Sequence, residues 1–344
     1  MTKLIKRVFS LLGLLLLGLA LVGIGVWGIM ALWYFDDANT VLRAILAAAF
    51  ALATLATLVA LALRDWRWRA IGLYLVLFAA LLLCWSALKP SNNRNWQTEV
   101  AVLPYATIDG DRVTVHNIRN FDYRTETDFT PAYYDKTFDL RQLDSVDLIA
   151  VYWMGPQIAH IFLSFGFGGR DHLAISIEAR KLRDEGFSTV KGFFRQYELY
   201  YVVADERDVI RLRTNYRKDP PEEVHLYRIH GPSANGRRLF LSYVNKINAL
   251  KERPEFYNSL TTNCTTNIWL QSRVNPGHLP FSWKVLISGH VPEYLYEAGM
   301  LDTTVPFAEL WQRSVVNARA QAADQAADFS QRIRAAPAIS GVEP

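Results

Sequence analysis

QIAHIFLSFGFGGRDHLAISIEAR (157–180) decides the fold class of the second half of this chain. QIAHIFLSF (157–165) and HLAISIEAR (172–180) are strand-like runs, and GFGGRD joins them. Its glycines permit the positive φ that a hairpin turn needs. Loop parity then fixes which side chains meet. An odd loop such as Gly168–Arg170 sets His160 opposite Glu178, at the Cβ spacing of about 4.5–5.5 Å of cross-strand partners. It also sets His172 at the turn end, opposite Gly166. An even loop puts Glu178 on the other face from His160 and spoils the pair.

Outward from the hairpin the same texture continues. EVAVLPYATI and DRVTVHNIRNF alternate apolar and polar residues around DGD, and LDSVDLIAVYW follows. ELYYVVA (198–204) and EEVHLYRI (222–229) are further expected strands. The period then changes. GRRLFLSYVNKINALKER (236–253) spaces Leu239, Phe240, Tyr243, Ile247 and Leu250 as a helix does. NCTTNIWLQSRV (263–274) reads as another helix, with Thr262 or Asn263 available as its N-cap. HVPEYLYEAGM closes on glycine as a short helix. The expectation is an α+β domain over 97–313, sheet first and helices later. A polar linker, SNNRNW (91–96), should precede it. An alanine-rich tail (314–344) should follow, helical at first and frayed past Pro337.

The first 90 residues have another character. Residues 8–35, 44–63 and 70–88 carry no charge. Each run is near the ~20 residues needed to cross a bilayer, so three transmembrane helices are expected at about 8–35, 41–63 and 70–88. The first is too long for a signal-peptide core and lacks a small-residue cleavage site, so it reads as an uncleaved anchor. Lys3, Lys6 and Arg7 precede the first run, and Arg64, Arg67 and Arg69 lie between the second and third. The loop DDANT is acidic, with Arg43 as a minor contrary vote. By the positive-inside rule the N-terminus faces the cytoplasm and everything after Lys89 the exterior. That describes a multi-pass bacterial inner-membrane protein with a periplasmic C-terminal domain.

That topology frames the two cysteines. Cys84 lies in an apolar run, LLLCW, and Cys264 lies among small polar residues in LTTNCTTNIWL (260–270). An oxidising exterior favours disulfides, yet Cys264 has no ready partner in the chain. At the first turn of a helix a cysteine sits near the positive end of the macrodipole, which favours the thiolate nucleophile. The same unpaired N–H groups can hold an oxyanion during acyl transfer. The structural alternative is a small buried residue at a helix start. A cysteine nucleophile needs a base and an orienter. Of seven histidines, His116 and His225 sit in strand segments, and His230, His278 and His290 lie beside glycine or proline. His160 is the preferred base with Glu178 as orienter, and His172 is the alternative. Asn263 and Ser164 are candidate supporting residues. An ion pair of Glu178 with Arg180 or another arginine is the structural alternative.

Several classes find no support. The chain has no CxxC, HExxH or carboxylate cluster of metal-loop spacing, so neither a metal nor a cofactor is expected. FGFGGR lacks the lysine and the following helix of a phosphate loop, and GxSxG is absent. The net charge of +4 is small and dispersed, which gives no case for nucleic acid. RDVIRLRTNYRK (207–218) and GRR (236–238) read as solvated faces, with lipid phosphates as the alternative contact.

A histidine strand followed by an Asn-Cys helix start resembles the circularly permuted papain-like fold of permuted NlpC-type enzymes and lecithin retinol acyltransferase. A longer resemblance covers roughly 100–275. VHNIRNFDYR, AHIFLSFGF, ISIEAR, FFRQYELYYVVADERDVIRLRTNYR, VHLYRI and PEFYNSLTTNCTTNI are similar to the family named for the periplasmic domain of Lnb, a bacterial lipoprotein N-acyltransferase. The resemblance implies a thiol that takes an acyl chain from membrane phospholipid and passes it to the α-amino group of a lipoprotein. Cys264 would then be nucleophile and His160 base, with Glu178 nearby. The three-helix anchor departs from that family pattern and leaves the substrate open. A papain-like amidase or peptidase acting on peptidoglycan or peptides is the second reading. A non-catalytic envelope scaffold is the third. Oligomeric state is not legible.

Overall fold

The computed structural model describes residues 2–35 and 39–335. The chain forms two compact units, Met1–Pro90 with Phe194–Gln196, and Ser91–Phe193 with Tyr197–Pro344.

The first unit contains α1 (Thr2–Trp33), α2 (Thr40–Ala60) and α3 (Arg67–Ala87). All three are long and apolar enough to cross a membrane. Their leucines lie mostly outward, as lipid contact requires. Gly25 and Gly28 face α2, where a Cβ would collide with Thr54 or Phe50, so small residues bring α1 and α2 together. Thr54 Oγ1 lies 3.0 Å from the Tyr74 hydroxyl, so α2 and α3 also share a hydrogen bond. The helix bounds differ from the expected spans. α1 and α3 begin earlier and take in Lys6, Arg7, Arg67 and Arg69, while α2 stops at Ala60. Hydropathy marks the apolar span, whereas basic residues with long stems stay helical at its ends.

The second unit is α+β. Its strands are β1 (Tyr105–Asp109), β2 (Arg112–Arg119), β3 (Asp122–Tyr123), β4 (Phe129–Thr130), β5 (Tyr133–Asp139), β6 (Leu143–Tyr152), β7 (Ala159–Phe167), β8 (Asp171–Arg180), β9 (Glu198–Ala204) and β10 (Glu223–Arg228). The main sheet runs β1-β2-β9-β8-β7-β6-β10, with β5 also on β2. Its pairs are antiparallel apart from the β2–β9 bridge. Helices α4 (Thr189–Phe193), α5 (Glu206–Arg211), α6 (Ser233–Glu252), α7 (Cys264–Ser272), α8 (Trp283–Leu286), α9 (Val291–Glu297), α10 (Phe307–Ser314), α11 (Asn317–Ala322) and α12 (Phe329–Arg332) complete it.

Helices cover both faces of the sheet. Ile161, Leu163, Phe165, Ile175 and Ile177 on one face pack against Phe240, Tyr243 and Val244 of α6. Ile149, Phe162, Ala174 and Val202 on the other face share a core with Val316, Ala320, Phe329 and Ile333. Residues 147–152 are consequently all buried, which explains why the central strands lack the alternation that β2 shows over Arg112–His116.

That second core draws in the segments at both ends of the domain. The segment after Ser314 is helical, as expected, and it is packed on the sheet. Val316, Ala320 and Ala323 form an i, i+4, i+7 stripe whose small side chains let α11 lie close to the sheet. Residues 336–344, with Pro337, lie outside the described residues. The linker SNNRNW is held against the second unit. Trp96 is buried and bridges to Leu182, and Asn92 Nδ2 donates to Leu250 O at 2.9 Å.

Candidate active site

The hairpin of β7 and β8 has a three-residue loop, with Phe167 paired to Asp171 and Gly166 to His172. This odd loop carries His160 and Glu178 to facing positions, and His160 Nε2 lies 3.1 Å from Glu178 Oε1. The β7–β8 ladder ends at Leu163↔Ile175, although β7 stays paired to β6 as far as Ala159. The opening is filled from the side by the start of α7. It brings Cys264 beside His160 and the Ile161 backbone N–H, both of which favour its thiolate.

Ser176, two residues before Glu178 on the same face, fixes the imidazole. Its hydroxyl donates to Glu178 Oε1 at 2.8 Å, because a carboxylate has no proton to give. The Ser176 oxygen, 2.7 Å from His160 Nε2, therefore accepts from Nε2–H. Nδ1 makes neither of these bonds and is left as the proton acceptor, the tautomer a general base needs.

The start of α7 is built by Asn263. Its Oδ1 accepts from Thr266 N at 2.9 Å, and Thr266 Oγ1 accepts from Asn263 N at 3.0 Å, a reciprocal capping box. Asn267 N–H goes to Asn263 O. The N–H groups of Cys264 and Thr265 stay without a partner among the described residues, beside the thiol at the positive end of the helix.

The charges reinforce one another. Burial disfavours a charged His160, but the Glu178 carboxylate and the bonds to Cys264 and Glu178 outweigh it and lift the imidazole to about 9. Burial also works against a thiolate at Cys264. The His160 contact and the Ile161 N–H outweigh it, and the thiol falls below its usual range. Glu178 is held well below the usual carboxylate range against its own desolvation, by His160, Arg213 and Ser176. Both shifts run in the direction that favours a thiolate–imidazolium pair, with a carboxylate behind it.

Behind Glu178 the network continues. A π-helical turn (Leu212–Tyr216) after α5 directs Arg213 inward, with Nη2 3.2 Å from Glu178 Oε1 and Nη1 3.3 Å from Glu222 Oε2. Arg217 Nη1 holds the other Glu222 oxygen at 3.0 Å. Sequence reasoning missed Ser176, Arg213 and Glu222. Ser176 carried a readable signal, its i, i+2 spacing from Glu178. Arg211 and Arg213 are buried, so the basic stretch 207–218 is neither a solvated face nor a lipid contact at those positions.

Two expected residues lie elsewhere. Ser164 is buried and donates to Glu206 Oε1 at 2.5 Å, and Arg334 grips Glu206 in turn. His172 sits at the turn end, about 20 Å from His160 along the hairpin at ~3.4 Å per residue. Burial holds its imidazole below the ordinary value, and its charged neighbours are Glu206, Arg334 and Asp147. It is placed to serve that cluster and not Cys264. Asn263 takes part by building the helix start. Both cysteines are free thiols, and no metal-holding cluster occurs among the described residues.

Residues 129–289 match the family model described as the Lnb N-terminal periplasmic domain, a span that holds His160, Glu178 and Cys264. With its three candidate membrane helices, the chain is a membrane-associated protein with a periplasmic-type domain. It matches no curated protein and no solved structure.

Proposed function

We propose that this protein is a membrane-anchored periplasmic thiol acyltransferase, moving an acyl chain from phospholipid to an amine such as a lipoprotein N-terminus. The observation that carries this is the Cys264–His160–Glu178 constellation at a capped helix start, with the Ser176 bond setting the tautomer. The Lnb-family match and the membrane helices support the choice of substrate. The order of histidine strand and cysteine helix suits a permuted papain-like arrangement. The basic flanks of α1 and of the α2–α3 loop favour a cytoplasmic N-terminus and an exterior domain.

In the first half-reaction the Cys264 thiolate attacks the ester carbonyl carbon and a C–S bond forms. The oxyanion is received by the N–H groups of Cys264 and Thr265. The ester C–O bond breaks, and His160 Nδ1 gives its proton to the departing alkoxide, releasing lysophospholipid. In the second half-reaction an amine attacks the thioester and a C–N bond forms. The C–S bond breaks, His160 takes the proton shed by nitrogen, and the thiolate returns. Glu178 matches the imidazolium charge whenever His160 holds the proton.

The test is incubation of the purified full chain with phospholipid vesicles lacking an amine acceptor, followed by intact-protein mass spectrometry. A mass gain of one acyl group, absent in Cys264→Ala, is expected. No adduct with any lipid, together with cleavage of muropeptides, would replace this reading by an amidase. Full complementation by Cys264→Ala in cells would leave only a scaffold.

A further inference from the structure

An apolar cavity of about 180 Å³ lies near the reactive pair, and its lining includes the residue after each of them but neither His160 nor Cys264. Ile161 and Thr265, the chain neighbours of His160 and Cys264, form its near wall. From there it follows the α6-covered face of β6 and β7 past Leu163 and Leu148, which are register partners, to Val146 and Leu143. Leu143 pairs with Phe167, so the lining extends from the level of Ile161 to that of Phe167. That is ~20 Å at about 3.4 Å per residue. One lipid chain spans half of the ~30 Å bilayer core, or about 15 Å.

The far end is narrowed by a glycine contact. A Cβ on Gly236 of α6 would lie 2.9 Å from Leu143 Cδ2 and 3.1 Å from Val146 Cγ2, so the helix there already rests on the strand. Beyond it the wall turns polar, with Asp144 and Asn235. A chain longer than the apolar stretch would meet those groups or displace α6, both unfavourable.

We infer that this cavity holds one alkyl chain of the acyl donor, its carbonyl at Cys264 and its tail toward Leu143. The α6–β6 contact at Gly236 sets the longest chain accepted. This rests on the acyl-transfer reading above and adds the chain-binding site and its length limit. The cavity lies wholly within the second unit, so it would select the transferred chain independently of the headgroup.

The experiment uses the full-length protein and vesicles of phosphatidylcholine with two identical saturated chains of about ten to about eighteen carbons. The Cys264 adducts are weighed by mass spectrometry. Val146→Phe narrows the far end, and the long-to-short adduct ratio should fall about tenfold or more, since each methylene in a fitted pocket is worth about that factor. Gly236→Ala is a milder variant that favours the helix, and it should shift the ratio in the same direction. An unchanged ratio in both variants, with adducts still forming, overturns the cavity assignment. If the wild type forms no adduct, the acyl-transfer reading fails separately. The cavity is then read on Cys264→Ala with a fatty acid bearing a terminal diazirine. Saturable photolabelling between residues 143 and 148 supports the assignment, and its absence sinks it.

Discussion

His160 Nε2 lies 3.1 Å from Glu178 Oε1, and the Ser176 hydroxyl touches both. The contact follows from the loop of the β7–β8 hairpin, whose odd length brings positions 160 and 178 to one face. Glu178 is therefore built into the sheet as the partner of His160. Glu178→Gln keeps the shape and removes the charge that sustains the imidazolium. Thioester formation should fall by about 10²–10⁴-fold, the range seen when a triad carboxylate is neutralised. Stopped-time mass spectrometry of the adduct reads this directly. A variant as fast as wild type would reduce Glu178 to a structural ion pair.

Ser176→Ala separates orientation from charge. The carboxylate remains within reach of Nε2, but the hydroxyl that accepts Nε2–H is gone. A loss of about tenfold is expected, close to one ordinary hydrogen bond of ~1.4 kcal/mol. Ser176→Thr retains the hydroxyl and should restore most of the rate. A shift in the His160 titration by NMR accompanies the loss if Ser176 acts through the ring.

The pH behaviour follows from the directions of the shifts. Cys264 is depressed and His160 is raised to about 9, and both directions favour the ion pair below about 9. Iodoacetamide labelling of Cys264 should persist below the usual thiol range near ~8.5. Acyl transfer should decline above about 9, as His160 loses the proton it must give to the leaving group. The stability linkage has matching signs. His160 is raised above its unfolded value of ~6.5, so its contribution is complete below that pH and lost as pH rises through about 9. Glu178 is depressed, so its contribution holds above ~4.3 and is lost as pH falls toward its folded value. Melting temperature against pH, compared with His160→Gln, should differ most between those windows. A thiol titrating normally would remove the ion pair.

Much of this site was open to reading from local pattern, and the rest was not, for physical reasons. The pair of His160 and Glu178 needed only strand periodicity and loop parity. The helix start at Cys264 needed only the capping preference of Asn263. That the two would meet depends on where the β7–β8 ladder opens, and no local signal marks Leu163↔Ile175 as its last pair. Arg213 was hidden in another way. In RDVIRLRTNYRK its charge suggested solvent, but Glu178 and Glu222 lie on strand and loop segments far apart in sequence, and burial of an arginine depends on such partners. The three membrane helices were legible from composition alone. The packing of the 314–335 segment was obscured because alanine favours both a solvated helix and a close-packed one.

Arg213 supplies the last prediction. Its side chain is buried between Glu178 and Glu222, two carboxylates with one guanidinium between them. Arg213→Met preserves bulk but leaves both carboxylates facing each other across a buried gap. Removing one partner of a buried pair costs about 3–5 kcal/mol, and Arg217 still compensates part of that at Glu222. Thermal unfolding of the full chain should show a clear loss of stability. Catalysis should change in a distinct way. Without Arg213 the Glu178 carboxyl rises toward the ordinary range, and the acid limb of the pH–rate profile should move up with it. Arg213→Lys keeps the charge but cannot bridge two carboxylates with a planar fork, so it should recover the pH profile better than the stability. If both variants left the acid limb in place, Arg213 would be a purely structural residue. Glu178 would then owe its ionisation to His160 and Ser176.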